Sequence, residues 1–155
     1  MRFPPVEGRN LQGRRFRLPE DFGGTYNIVL IAFQRYHQAD VESWLPLLKR
    51  LRREYADLHI YELPTLWEMP PLRRLMLDMG MRMGIPDRAT REMTITLYLD
   101  KAQFRQSLEI PTENEIVVLM VDRAGRVLWR TSGGYNAAKG AALAASVALL
   151  PLQTA

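Results

Sequence analysis

Apolar residues along this chain follow two patterns, continuous runs and a spacing of three to four positions. The runs at residues 26–33 and 58–63 have strand length and consist mostly of aliphatic and aromatic residues. Such runs are typical of strands that are covered on both faces of a sheet. Between them, residues 40–55 carry an apolar stripe that predicts an amphipathic helix with Asp40 as its N-cap: Val41, Trp44, Leu45, Leu48, Leu51 and Tyr55. The order strand, helix, strand predicts a parallel, right-handed βαβ unit.

The same patterns continue to the end of the chain. Further strands are predicted at 93–99, 115–121 and 126–130, and further helices at 72–84, 101–108 and 137–150. The turn at 122–125 should make the last two strands an antiparallel hairpin. Residues 1–25 are predicted to be an extended or hairpin entry, and residues 64–92 a helical insertion opened by prolines. We therefore predict one mixed α/β domain over residues 1–155.

Composition is that of an ordinary globular domain, with 47% apolar and 25% charged residues in a chain of 155. Lysine and arginine number 21 and aspartate and glutamate 17, which gives a formal charge of +4. The basic residues stand in short runs at 14–17, 49–53 and 73–74, which we interpret as solvated faces. No nucleic-acid partner is expected, because aromatic residues are not interleaved with these runs.

The chain contains no cysteine. This excludes disulfides, thiolate catalysis and thiolate metal sites. Two histidines among scattered carboxylates do not form a metal-ligand signature, and no glycine-rich phosphate loop is present. The sequence therefore assigns no catalytic residue, no metal site and no cofactor.

The N-terminal residues have no apolar segment of the kind that signal peptides carry. The longest apolar stretch, residues 137–152, includes Lys139 and Pro151 and is too short to span a bilayer. From these features we expect a cytoplasmic or membrane-peripheral protein.

Four positions around the first helix have a recognisable spacing. Phe33 ends a strand, Gln38 and Val41 follow it, and Pro46 lies inside the next helix. This spacing resembles that of the thioredoxin-like superfamily, in which two cysteines occupy the positions of Gln38 and Val41. The resemblance implies a three-layer α/β fold with a central mixed sheet. Thiol–disulfide oxidoreductase and peroxidase activities are excluded, because they need the missing cysteines.

Two further segments extend or limit this resemblance. The superfamily has a cis-proline immediately before the first strand of the hairpin, whereas here three residues separate Ile110-Pro111-Thr112 from that strand. Pro111 is therefore expected to be an ordinary trans residue.

The segment 119–133, with Val121-Asp122, Gly125-Arg126 and Trp129, is similar to the mitochondrial ATP synthase assembly factor family. That resemblance implies a role in building the membrane sector of the synthase.

The loop at residues 34–40 is the first place to expect a binding site, because it joins the carboxyl end of a strand to a helix N-terminus. Its candidate residues for a ligand or partner are Arg35, Tyr36, His37, Gln38 and Asp40. Trp129, on a hairpin strand that could expose one face, is the remaining candidate for a partner contact. The alternative for all of these residues is a structural role in capping, solvation or core packing.

Four of the eight methionines fall in residues 76–83. They either fill an irregular core or form an adaptable contact surface. The leading hypothesis is a non-redox binding or assembly domain for a protein partner. The alternatives are a thiol-independent enzyme or small-molecule or anion binder that uses the 34–40 loop, and, more weakly, a membrane-surface protein.

Overall fold

The computed structural model describes residues 1–152 and Thr154. Its strands are β1 (Val6–Asn10), β2 (Arg15–Leu18), β3 (Tyr26–Ala32), β4 (Leu58–Trp67), β5 (Ile95–Leu99), β6 (Val117–Asp122) and β7 (Val127–Ser132). Its helices are α1 (Gln38–Glu54), α2 (Pro71–Gly84), α3 (Arg88–Met93), α4 (Lys101–Ser107) and α5 (Ala137–Ala148). A single 3-10 turn, Arg35–His37, precedes α1. The predicted mixed α/β architecture is thereby confirmed.

The seven strands form one mixed sheet in the order β2-β1-β5-β4-β3-β6-β7. The three central strands β5, β4 and β3 run parallel to one another, and every other pairing is antiparallel. The predicted parallel βαβ unit is thus β3-α1-β4, and the predicted C-terminal hairpin is β6-β7. The carboxyl ends of the parallel strands meet at one edge of the sheet, which we call the carboxyl edge.

Alternation along the strands divides the core into two layers. One layer packs Val29, Ile31 and Leu63 of the sheet against Phe104 of α4 and the N-terminal aromatics. The other packs Ile28, Leu30 and Ile60 against α1 and α5. Both layers are dense in aliphatic side chains, which explains why the central strands read as continuous apolar runs.

Helix α1 packs its predicted apolar stripe against the sheet. Trp44 is fully buried, as predicted, and its indole N–H donates to the carbonyl of Gly133 at 3.0 Å. Because that carbonyl lies in the turn between β7 and α5, the hydrogen bond joins α1 to the C-terminal hairpin.

Three expectations about these elements are corrected. Strand β4 continues past Leu63 to Trp67, because Pro64 pairs with Ala32 on one side and Thr65 with Leu97 on the other. Helix α3 forms in the helical insertion beyond Gly84, where the predicted helix was expected to end; Asp87 is its cap, and its last residue is Met93, which was expected in the next strand. Helix α1 begins at Gln38, so Asp40 lies in its first turn and is not the N-cap.

Candidate functional site

The loop after β3 is fixed in place by its own histidine. The His37 side chain is fully buried, and its Nδ1 accepts the backbone N–H groups of Phe33 at 3.0 Å and Gln34 at 3.3 Å. A ring nitrogen that accepts two amides carries no proton, so the proton of a neutral ring is on Nε2. Nε2 is itself buried and has no partner in the described part of the chain. The imidazole therefore holds the loop in place, and its ring has no surface open to a ligand, unlike the other predicted candidates of this loop.

The two positions that would carry sulfur have opposite environments. Gln38 is exposed at the start of α1, and its amide makes one long contact of 3.4 Å with Glu42 Oε1. Val41 is buried in the layer between α1 and the sheet. Arg35 and Tyr36 are exposed beside Gln38, and Tyr36 has 66% of its surface open to solvent. The loop therefore presents Arg35, Tyr36 and Gln38 outward, and Val41 belongs to the core.

Asp40 lies where the first turn of α1 meets the turn between β7 and α5. Its backbone carbonyl accepts the Ser43 hydroxyl, and Ser43 Oγ accepts the backbone N–H of Tyr135 at 2.9 Å. A Cβ on Gly134 would lie 2.7 Å from the Asp40 carboxylate, so only glycine fits there without a shift. The Asp40 side chain is exposed and its surroundings are those of a packed helix end.

The carboxyl edge also holds a buried ion pair that sequence reasoning missed. Lys101 opens α4 and is only 5% exposed. Its Nζ lies 2.7 Å from Glu113 Oε1 and donates to the Phe33 carbonyl at 3.2 Å. The same nitrogen lies 5.9 Å from the ring centroid of Trp67, at the end of β4. Lys101 thus connects the ends of β3, β4 and β5.

No local signal could have found this pair. A lysine at the first position of a helix after an aspartate cap is ordinarily a solvated residue. Its burial depends on Glu113, which reaches it from the loop between α4 and β6. Arg105, also on α4, places its Nε 4.0 Å from Glu113 Oε2 and so adds a second positive charge beside this carboxylate.

The methionines of α2 do not fill a core. No residue of this helix is buried, and five of its apolar side chains form one exposed stripe of Leu72, Leu75, Met76, Met79 and Met83, whereas Leu77 and Met81 are partly buried. The stripe residues are 55 to 83% exposed, and Trp67, four residues before the helix, is 53% exposed. At about 100° per residue the five side chains point to the same side of the helix. We call this surface the α2 stripe.

Trp129 is separated from the loop along the hairpin. It lies on β7 opposite Met120, three residues before the end of the strand, and is partly buried against the layer formed with α1 and α5. The structure does not bring Trp129 together with Arg35, Tyr36 and Gln38. Leu128, its neighbour on the opposite face of β7, is exposed instead.

No group of histidine and acidic residues in the described ranges, 1–152 and 154, could hold a metal ion. Three surface cavities of the structure are lined without any residue of the 34–40 loop. Leu18–Pro19 is the one cis peptide among the described residues, so Pro111 is trans, as expected from its displaced position. The edge exposes Arg35, Tyr36, Gln38 and Trp67 at the ends of the parallel strands.

Comparison with known proteins shows which fold the chain adopts. No family model and no curated protein matches the chain. Among solved structures, the exposed lipoprotein thioredoxin Etrx1 of Streptococcus pneumoniae is 12% identical, with a TM-score of 0.61 over 95% of this chain and 100% of that one. BsSco, of the Sco family of cytochrome c oxidase assembly proteins, is 15% identical, with a TM-score of 0.63 over 96% of this chain and 95% of its own.

A thiol-disulfide oxidoreductase domain of Bacteroides vulgatus, BVU-2223, is 17% identical, with a TM-score of 0.57 over 86% of this chain and 88% of that one. The fold is thioredoxin-like. At these identities the likeness concerns the fold alone, and this chain keeps the thioredoxin-like frame without any cysteine. The narrower resemblance to the ATP synthase assembly factors stays a prediction.

No helix of the described part of the chain combines the length and the apolar character that crossing a membrane requires.

Proposed function

We propose that this thioredoxin-like domain is a non-redox binding or assembly domain that holds a protein partner on the α2 stripe and the adjoining carboxyl edge. The observation that carries the proposal is the orientation of α2. An amphipathic helix normally turns its apolar side to the core, and this one turns five large apolar side chains to solvent, with only Leu77 and Met81 partly buried. Contiguous exposed apolar surface of this kind is characteristic of interaction sites.

The stripe continues toward the carboxyl edge. Trp67 lies between the start of α2 and Lys101, and Lys101 contacts the Phe33 carbonyl at the start of the 34–40 loop. Tyr36 then extends exposed aromatic surface on that loop. Methionine and tryptophan suit such a surface, because methionine adapts its shape and tryptophan anchors partners.

The flanks of the stripe indicate the chemistry of the partner. Arg73 and Arg82 are exposed and lie about 90° to either side of the stripe on the helical wheel. A polypeptide segment with apolar anchors and acidic residues beside them would complement this arrangement. Assembly functions, including the one implied by the resemblance to the ATP synthase assembly factors, are one use of such a surface.

Affinity capture with matched variants tests the proposal. Serine at Leu75, Met76 and Met79 should abolish recovery of the partner, because it removes the apolar anchors without touching a buried residue. Leu149→Ser is the control, since Leu149 is 86% exposed but lies at the end of α5. Equal recovery by the triple variant and the control would contradict the proposal.

The membrane alternative is separated by liposome flotation of the same proteins. An amphipathic helix with basic flanks binds anionic vesicles in a salt-dependent manner when its target is a membrane. The proposal predicts that the wild-type protein does not float with the vesicles at 0.15 M salt. If the wild type floats and the triple variant does not, the proposal is overturned.

A further inference from the structure

A second surface, on the sheet beneath α2, carries an unusual row of side chains. Arg15 of β2 is the cross-strand partner of Arg9 of β1, and Arg9 is the cross-strand partner of Thr96 of β5. Cross-strand partners project from the same face of a sheet. Two guanidinium groups and a hydroxyl therefore stand side by side on the face that α2 partly covers.

The positive charges of this row are uncompensated. Like charges directly opposite each other on neighbouring strands are destabilising. In the part of the chain that the structure describes, the side chains of Arg9 and Arg15 form neither a hydrogen bond nor an ion pair. In the next cross-strand pair of β1 and β2 the charges are opposite, and Arg17 Nε lies 3.7 Å from Glu7 Oε1.

Thr96 adds an independent observation. It is 2% exposed, and its hydroxyl has no hydrogen-bond partner among the described residues. A buried hydroxyl without a partner costs free energy, so most such groups in folded proteins are satisfied. Gly8 brings β1 close to β5 here, since a Cβ at this position would lie 2.8 Å from the Thr96 carbonyl. The strands β1 and β5, which carry Arg9 and Thr96, are consequently packed closely against each other.

A cavity of about 390 Å³ opens over this row. It is lined by Arg9, Arg15 and Thr96 from the sheet and by Arg74 and Asp78 from α2. Arg74 donates its Nε to the Met69 carbonyl at 3.0 Å and stacks over the Tyr98 ring, which leaves its terminal nitrogens for another acceptor. Asp78 accepts the Tyr98 hydroxyl at 2.7 Å.

We propose that this cavity binds the phosphate group of a small molecule, with Arg9, Arg15 and Arg74 as cationic partners and the Thr96 hydroxyl as a donor. Of the acidic residues at the cavity, Glu7 is offset by Arg17, whereas the Asp78 carboxylate accepts the Tyr98 hydroxyl and has no cationic partner of its own among the described residues. Three guanidinium groups therefore face one carboxylate that is not offset. A dianionic phosphate matches that excess, and guanidinium groups bind phosphate oxygens in pairs. The cavity has the volume of a small-molecule site and exceeds a bare phosphate ion.

Thermal unfolding at increasing concentrations of inorganic phosphate tests this site. Because a ligand of the native state raises the unfolding temperature, phosphate should produce a saturating rise that potassium chloride of equal ionic strength does not. The same titration with glycerol phosphate and adenosine monophosphate distinguishes the source of the phosphate group. Tighter binding of one of them supports a phosphorylated small molecule, and equal affinities support free phosphate as the ligand.

Variants separate this site from general charge effects. The double variant R9Q/R15Q should lower the phosphate affinity at least tenfold, and Thr96→Val should lower it several-fold while leaving the unfolding temperature without phosphate no lower than that of the wild type. Arg53→Gln is the control, because Arg53 is exposed on α1 and does not line the cavity. An equal rise in chloride, unchanged affinity in R9Q/R15Q, or an equal loss in Arg53→Gln would overturn the proposal.

Discussion

Helices α1 and α2 have similar amphipathic sequences and opposite orientations. Helix α1 buries Val41, Trp44 and Leu48 against the sheet, whereas α2 exposes its apolar stripe and rests on the sheet through Arg74 and Asp78, whose contacts with Tyr98 hold it. Hydrophobic periodicity therefore predicts a helix but not the side that faces the core. For the side of α2 that faces solvent, we propose a partner as the covering surface.

The largest effect that this comparison predicts is at Trp44. Trp44→Ala should lower the free energy of unfolding by about 3–5 kcal/mol, because it leaves a cavity and removes the donor to the Gly133 carbonyl. Urea denaturation measures the change. A loss below about 1 kcal/mol would contradict the tight packing of α1 against the sheet, which distinguishes it from α2.

The next effect concerns Glu62, the ionisable group buried on the α1 side of the sheet. It is 4% exposed and its Oε1 has no partner among the described residues. Burial, with the charge of Glu42, raises the pKa of Glu62 to about 7, against 4.5 for the ordinary group. The folded protein thus keeps a proton that the unfolded chain releases, so stability falls between about pH 4.5 and pH 7 and then levels off.

Glu62→Gln should remove this contribution. At pH 8 the variant should be more stable than the wild type by about 2–3 kcal/mol, and at pH 4 the difference should vanish. Urea denaturation at the two pH values measures it, with the exposed Glu20→Gln as a control of much smaller effect. Parallel pH profiles for the Glu62 variant and the wild type would contradict the assigned protonation.

A somewhat smaller effect is expected at the carboxyl edge. Glu113→Gln leaves the buried Lys101 ammonium without its counter-charge, which should cost about 2 kcal/mol because Glu113 is itself partly exposed. Replacing both members, as Lys101→Met with Glu113→Gln, should recover part of that loss. Chemical denaturation of the single and double variants measures the coupling, and strictly additive losses would contradict a direct ion pair.

The smallest effect on stability is expected on α2. Met79→Ser should change the free energy of unfolding by less than about 0.5 kcal/mol, since the side chain is more than half exposed. Urea denaturation checks this value beside Trp44→Ala. A loss comparable to that of Trp44→Ala would mean that the stripe is part of a core, and the contrast between the two helices would disappear.

Local sequence patterns predicted most of the secondary structure. The runs of β3 and β6, the stripe of α1 and the C-terminal hairpin are each encoded within a few consecutive residues, and the structure has all of them. The extension of β4 past Pro64 was missed, because proline has no N–H for the strand ladder and argues against a central strand. In the structure Pro64 is nevertheless in register with Ala32 of β3. The start of α1 was misplaced because the buried His37 organises the loop before it.

The candidate site was predicted less completely. Arg35, Tyr36 and Gln38 are exposed at the carboxyl edge, and their role as candidates stays a prediction. The orientation of His37 depends on two backbone amides that the sequence does not reveal. Lys101 and Glu113 are 12 positions apart, and their burial is a property of the tertiary packing. The outward direction of the α2 stripe follows from polar contacts on the opposite side of the helix, which periodicity alone does not indicate.

The most direct test of the central claim is photo-crosslinking with a photoreactive amino acid at Met79 in one protein and at Leu149 in another. Both positions are exposed and apolar, and only Met79 belongs to the α2 stripe. The account predicts that the Met79 protein crosslinks in cells to one other polypeptide, in a product that the Leu149 protein does not give. Equal products at the two positions, a lipid adduct alone, or a crosslink only to a second copy of this chain would contradict it.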